Sequence, residues 1–285
     1  MRKLTLALVV LGLTMTACAS QEAAPTSDKL RVVAAFYPLQ YAAQQVLGEA
    51  TASVSVLTPP GAEPHDIELT PQQAAEVAEA DLVLYIPGFQ PALDAAVEGR
   101  MNALDVTSKI AELPGPEGGT DPHVWLNPLN MAAIGAAIAD RLSSAPEIAS
   151  RQQTFSAAMD ALNAEWKTGT QSCEQQTLVV SHDAFAYLAA QYGFIQEGIA
   201  GLSPDAEPSP ARIAEIARLV TERGITTIYY ESLVDPKVAE TIAAETGATT
   251  ALLDPIEGLA EGSSGDYASI MQKNLQTIRA GQNCT

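Results

Sequence analysis

Three histidines are the residues of this 285-residue chain best suited to chemistry, and each stands in a loop-like setting. His65 lies in Pro60-Gly-Ala-Glu-Pro-His-Asp66, His123 in Asp121-Pro-His-Val-Trp-Leu-Asn-Pro128, and His182 in Val179-Val-Ser-His-Asp183. None belongs to a helical apolar stripe. Each follows an extended run or a Pro-rich turn, where α/β folds carry functional side chains. Neutral imidazole is the commonest metal ligand, and three of them supply most of a tetrahedral zinc shell. Spacing alone leaves a second reading open, three unrelated histidines, because gaps of about 60 residues are not a ligand motif.

Four segments occur in order: Pro60-Gly-Ala-Glu-Pro-His-Asp-Ile-Glu-Leu-Thr-Pro71, Asp121 to Pro128, Val180-Ser-His-Asp-Ala-Phe-Ala-Tyr-Leu188, and Leu253-Asp-Pro255. Together they resemble the zinc/manganese solute-binding proteins of bacterial ABC importers, from about residue 30 to the C-terminus. The resemblance implies that a His from each of the first three motifs and a carboxylate from the fourth hold the metal. That nominates His65, His123, His182 and Asp254. It further implies two similar parallel-sheet lobes with flanking helices, joined by one long rigid helix, with the metal in the cleft between them. The expected cargo is Zn(II), and the expected partner is an ABC permease served by a monomer. Manganese-selective members tend to place a second carboxylate at the third-ligand position, where this chain has His182. Some relatives carry a long His-rich loop near His123, which this chain lacks.

The start of the chain reads as a targeting segment. Arg2 and Lys3 precede the apolar run Leu4 to Leu13, which is too short to span a bilayer and fits a signal peptide over residues 1–17. Met15-Thr-Ala-Cys18 resembles a lipoprotein cleavage site, so Cys18 is the expected lipidated N-terminus, with 18–28 a flexible tether. The expected location is extracytoplasmic, lipid-anchored at the outer face of the cytoplasmic membrane or in the periplasm. Two further cysteines, Cys173 and Cys284, then form an even pair in an exported protein and are expected to be disulfide-bonded. The formal charge of −19 is spread over both halves and argues against nucleic acid and anionic membrane surfaces as partners.

The elements that must position these residues alternate between strand and helix, which implies parallel sheets covered by helices. Strands are expected at Leu30 to Phe36, Ser53 to Leu57 and Asp81 to Ile86, with helices at Leu39 to Leu47, Gln72 to Ala80 and Pro91 to Glu98. A helix from Leu129 to Leu142 and another from Pro146 to about Lys167 follow. In the latter, Phe155, Met159, Leu162 and Trp166 form one apolar face. The second half repeats the alternation: strands Thr177 to Ser181, Ile225 to Tyr230 and Thr249 to Leu253, and helices Asp183 to Gln191, Asp235 to Thr246 and Gly265 to Ala280. The expected division is a first lobe at 29–145, a linker helix at 146–169 and a second lobe at 170–285.

Asp66, Asp121 and Asp183 neighbour the histidines and are candidate acceptors for their second ring nitrogen, with turn or helix-capping roles as the alternative. Glu231 after a strand and Tyr37-Pro38 carry the same ambiguity, while Trp125 is expected in the core. A zinc hydrolase lacks support, because neither a His-Glu-x-x-His helix nor a serine nucleophile elbow is present. A surface adhesin is a further class that the resemblance brings with it.

Overall fold

The computed structural model describes residues 29–116, 118–142 and 146–285. The signal segment, the tether and Cys18 lie outside the described residues. Two four-stranded parallel sheets form, and no described helix is long and apolar enough to cross a membrane. The first sheet contains β1 (Leu30–Ala34), β2 (Ala52–Val56), β3 (Leu82–Tyr85) and β4 (Ala103–Asp105), in the order β2-β1-β3-β4. The second contains β5 (Thr177–Val180), β6 (Ile195–Gly198), β7 (Thr227–Tyr230) and β8 (Thr249–Leu252), in the order β6-β5-β7-β8. The two orders are the same. In each, the direction of winding reverses between the first and third strands, the place where parallel sheets open a crevice at their C-terminal ends.

Helices α1 (Tyr37–Leu47), α2 (Pro71–Glu79), α3 (Pro91–Val97) and α4 (Pro128–Arg141) accompany the first sheet. The start of α2 follows from its sequence: Thr70 accepts from the Gln73 N–H, Gln73 reaches back to the Thr70 N–H, and Pro71 needs no partner for a missing donor. Helices α6 (Ala186–Tyr192), α7 (Pro210–Arg223), α8 (Lys237–Thr246) and α9 (Tyr267–Gly281) accompany the second.

Between them runs α5 (Pro146–Gly169), 24 residues and about 36 Å long. Its face of Ile148, Phe155, Met159, Leu162 and Trp166 is buried, against α1 and α4 of one lobe and α9 of the other. Gly135 lets α4 and α5 approach, since a Cβ there would fall 2.6 Å from the Phe155 ring. Apolar residues of both lobes thus join in one continuous core. Cys173 and Cys284 are linked by a disulfide that ties the chain after α9 to the segment before β5.

Several elements differ from the sequence reading. The strands β4 and β6 and the helix α7 were not anticipated. β4 is three half-buried residues, and β6 (Ile-Gln-Glu-Gly) is mostly polar with Ile195 exposed, so neither carries an apolar run. α7 has a clear Ser209-Pro210 start, but only Ile216 and Val220 are buried along it. Helix α6 begins at Ala186, not Asp183, and its cap residue is Phe185. The Asp183 carboxylate instead accepts from the Gly198 N–H at 3.0 Å and the Gln196 amide at 2.9 Å, fixing the end of β6.

Candidate metal centre

The three histidines reach one point from three different loops. His65 follows β2, on the Pro-rich loop held by Gln90, whose amide donates to the Pro64 carbonyl at 2.9 Å. His123 follows β4 and precedes a short 3₁₀ turn, Val124–Leu126, that leads into α4. His182 stands two residues beyond β5. All three are buried, His123 and His182 completely.

A carboxylate joins them, and it belongs to Glu257. Ligand atoms of His65, His123, His182 and Glu257 all lie within 4.8 Å of one another. The Glu257 Oε1 is 3.3 Å from the His65 and His123 Nε2 atoms and 3.0 Å from that of His182, and the last two nitrogens are 3.4 Å apart. A tetrahedron with metal–ligand bonds of about 2.0–2.1 Å has edges of about 3.3 Å. The three spacings to Glu257 and the one between His123 and His182 therefore fit a tetrahedral ion, and the donor set, three imidazoles and one oxygen, fits zinc chemistry.

Asp254, the carboxylate expected from sequence, lies outside this group. Its Oδ1 accepts from the Ile256 N–H at 2.8 Å. The loop after β8 carries two acids three residues apart, Asp254 and Glu257. Their sequence shows that a carboxylate is available there but not which one faces the imidazoles. The turn between them decides it.

The second ring nitrogens of His123 and His182 are committed. His123 Nδ1 donates to Asp121 Oδ1 at 2.8 Å, and the His123 backbone N–H donates to the same oxygen at 2.8 Å. His182 Nδ1 and its backbone N–H donate to Glu231 Oε1 at 2.7 and 3.1 Å. Both acids are almost wholly buried. These bonds fix the tautomer that leaves the Nε2 lone pair facing the centre. Glu231 directly follows β7, beside the end of β5, so neighbouring strands deliver ligand and partner together. Asp66 is exposed, and the backbone of His65 is held instead by Glu63, whose two oxygens each lie 3.0 Å from its N–H. Tyr37 and Pro38 open α1 and are buried.

Charge in the centre is strongly coupled. Burial disfavours the imidazolium at His182, but Glu257 and Glu231 outweigh it and hold its pKa well above the usual value. Burial acts likewise on His123, where bonds to Asp121 and Glu257 raise the pKa. At His65 burial prevails, and the pKa falls. Burial alone would raise Glu257, yet the facing imidazoles hold it well below the carboxylate range. Aromatic rings seal one side: Phe89 sits 4.5 Å from His65 and Trp125 5.1 Å from His123, centroid to centroid.

Known proteins share this chain's sequence and fold. The zinc-binding lipoprotein AdcA of Streptococcus pneumoniae is 33% identical over 312 residues, covering 98% of this chain and 61% of AdcA. The chain thus spans about three fifths of that relative's length. The high-affinity zinc uptake system protein ZnuA of Bacillus subtilis is 31% identical over 88% of this chain and 87% of its own. The crystal structure of the Zn(II)-bound ZnuA-like domain of S. pneumoniae AdcA superposes with a TM-score of 0.77 at 33% identity, covering 90% of this chain and 99% of that domain. Residues 32–281 match the family described as ZnuA, zinc-uptake complex component A, periplasmic, and the chain belongs to that family.

Proposed function

We propose that this protein captures Zn(II) outside the cytoplasm and delivers it to the permease of an ABC importer, held at the membrane by a lipid on Cys18. The observation that carries the reading is the buried set His65, His123, His182 and Glu257, whose ligand atoms all lie within 4.8 Å of one another. Family membership and the zinc-bound AdcA domain support it. Four protein donors fill a tetrahedral shell and leave no position for an activated water, so the arrangement suits carriage rather than hydrolysis. One carboxylate oxygen among three imidazoles favours zinc over manganese, as the Irving–Williams order does independently.

The test is a competition titration of metal-free protein with zinc and manganese, paired with His123→Ala and His182→Glu. Wild type should prefer zinc, His123→Ala should lose tight binding, and His182→Glu should narrow the zinc–manganese gap. Preference of the wild type for manganese would overturn the zinc assignment. For the anchor, Cys18→Ser should release the protein from membranes into the soluble exported fraction.

A further inference from the structure

The turn that brings Glu257 into the centre is held in an unusual shape. Ile256 is fully buried and β-branched, yet its φ is 57°, in the left-handed region that such residues rarely enter. Around it the chain is fastened on every side. The Leu253 N–H donates to the Tyr230 carbonyl at 2.9 Å, extending the pairing of β7 and β8. The buried Asn274 side chain, on α9, accepts from the Asp254 N–H at 3.0 Å and donates to the Asp254 carbonyl at 2.7 Å. The Trp125 indole donates to the Pro255 carbonyl at 2.7 Å. The Ile256 N–H points back to the Asp254 carboxylate.

We propose that Asp254 is a positioning residue for Glu257: its carboxylate holds the Ile256 N–H, keeps that residue left-handed, and so turns Glu257 onto the three imidazoles. The proposal rests on the zinc-binding reading above. An acceptor two residues before an N–H is the side-chain mimic of a backbone turn, and it needs an oxygen rather than a charge. Without it, Ile256 relaxes to an ordinary conformation and the following side chain rotates away from the cleft. Strain of this kind persists only where the surroundings over-determine it.

The charge-free requirement separates this role from ligation. In Asp254→Asn the amide oxygen still accepts from Ile256, so zinc affinity by chelator competition should stay within about threefold of wild type. In Asp254→Ala it should fall roughly 10–100-fold, the usual range for groups that support a ligand. The visible absorption spectrum of the Co(II)-loaded protein should be unchanged in Asp254→Asn and altered in Asp254→Ala. Adding Ile256→Gly to Asp254→Ala should recover most of the loss, because glycine enters the left-handed region freely. An Asp254→Asn variant as weak as Glu257→Ala, or an Asp254→Ala variant as tight as wild type, would overturn the proposal. Asp254→Asn preserves size and hydrogen bonding and so separates positioning from ligation. If the alanine variant fails to fold, the double variant combining Asp254→Ala with Ile256→Gly carries the test, and a folded double variant that binds no tighter than Glu257→Ala would overturn the proposal. Failure of the wild type to bind zinc in the same titration would count against the zinc-binding reading instead.

Discussion

The indole N–H of Trp125 donates to the carbonyl of Pro255 at 2.7 Å, so the residue two after His123 is bonded to the residue two before Glu257. One ligand loop from each lobe is thereby joined through a single buried bond. A second link runs alongside it, from the Gly61 N–H on the His65 loop to the Leu259 carbonyl at 2.8 Å. Trp125→Phe keeps an aromatic body but leaves the buried Pro255 carbonyl without its donor, a loss of about 1–3 kcal/mol. Zinc release into excess chelator should then accelerate, by roughly tenfold for each 1.4 kcal/mol. A release rate equal to wild type would mean that the bond does not couple the two loops.

Asp121 and Glu231 should matter through the rings that they orient. Asp121→Ala and Glu231→Ala should each weaken zinc binding roughly 10–100-fold, since both hold a ligand by its second nitrogen. Asp183 is the internal contrast. Its carboxylate serves the Gly198 N–H and the Gln196 amide, so Asp183→Ala should lower the melting temperature and leave affinity nearly unchanged. Equal affinity losses in all three variants would remove the distinction.

The pH dependence has a defined sign. Zinc binds only the unprotonated Nε2, and His182 has a raised pKa, so affinity should fall as pH drops through a value above the usual imidazole pKa of about 6.5. In the metal-free protein the raised His182 and His123 stabilise the fold fully below about 6.5, and that contribution is lost as pH rises through their folded values. The depressed Glu257 contributes above the usual carboxylate pKa of about 4.3, and its contribution is lost as pH falls through the folded value. His182, His123 and Glu257 thus contribute most to the metal-free protein between about pH 4.3 and 6.5, opposed there by His65, whose lowered pKa makes its protonation costly. The gap in melting temperature between loaded and metal-free protein should therefore widen from pH 5.5 to 8. A constant gap would contradict this coupling.

The Cys173–Cys284 disulfide closes a separation of 111 residues, for which chain entropy gives roughly 4–5 kcal/mol. It joins an end already fastened by the Gln282 amide, which donates to the Thr177 carbonyl at 3.0 Å. Replacing both cysteines by serine should lower thermal stability markedly while leaving zinc affinity within about twofold, because none of the ligand loops contains the bridge. A parallel loss of affinity would show that the end of α9 reaches the centre, through Asn274.

The three clustered histidines were legible in the sequence because each stands in a short, distinctive loop motif: Pro-rich before His65, Asp-Pro before His123, a buried strand before His182. The long helix was legible for a similar reason, since its buried face repeats at three and four residues. β6 lacked such a signal, because a mostly polar strand at a sheet edge is defined by its neighbour and not by its own pattern. Asp183 is misleading in the same way: an acid before a helix resembles a cap, yet its partners are Gln196 and Gly198, brought near only when β6 pairs with β5. The fourth donor depended most on tertiary structure. Asp254 and Glu257 are equivalent as ligands by chemistry alone, and what selects between them is the backbone of Ile256. Beside the local bond from Asp254, that turn is fastened by Asn274 on α9 and by Trp125 in the other lobe, 20 and 130 positions away in the chain, and those two contacts no local pattern encodes.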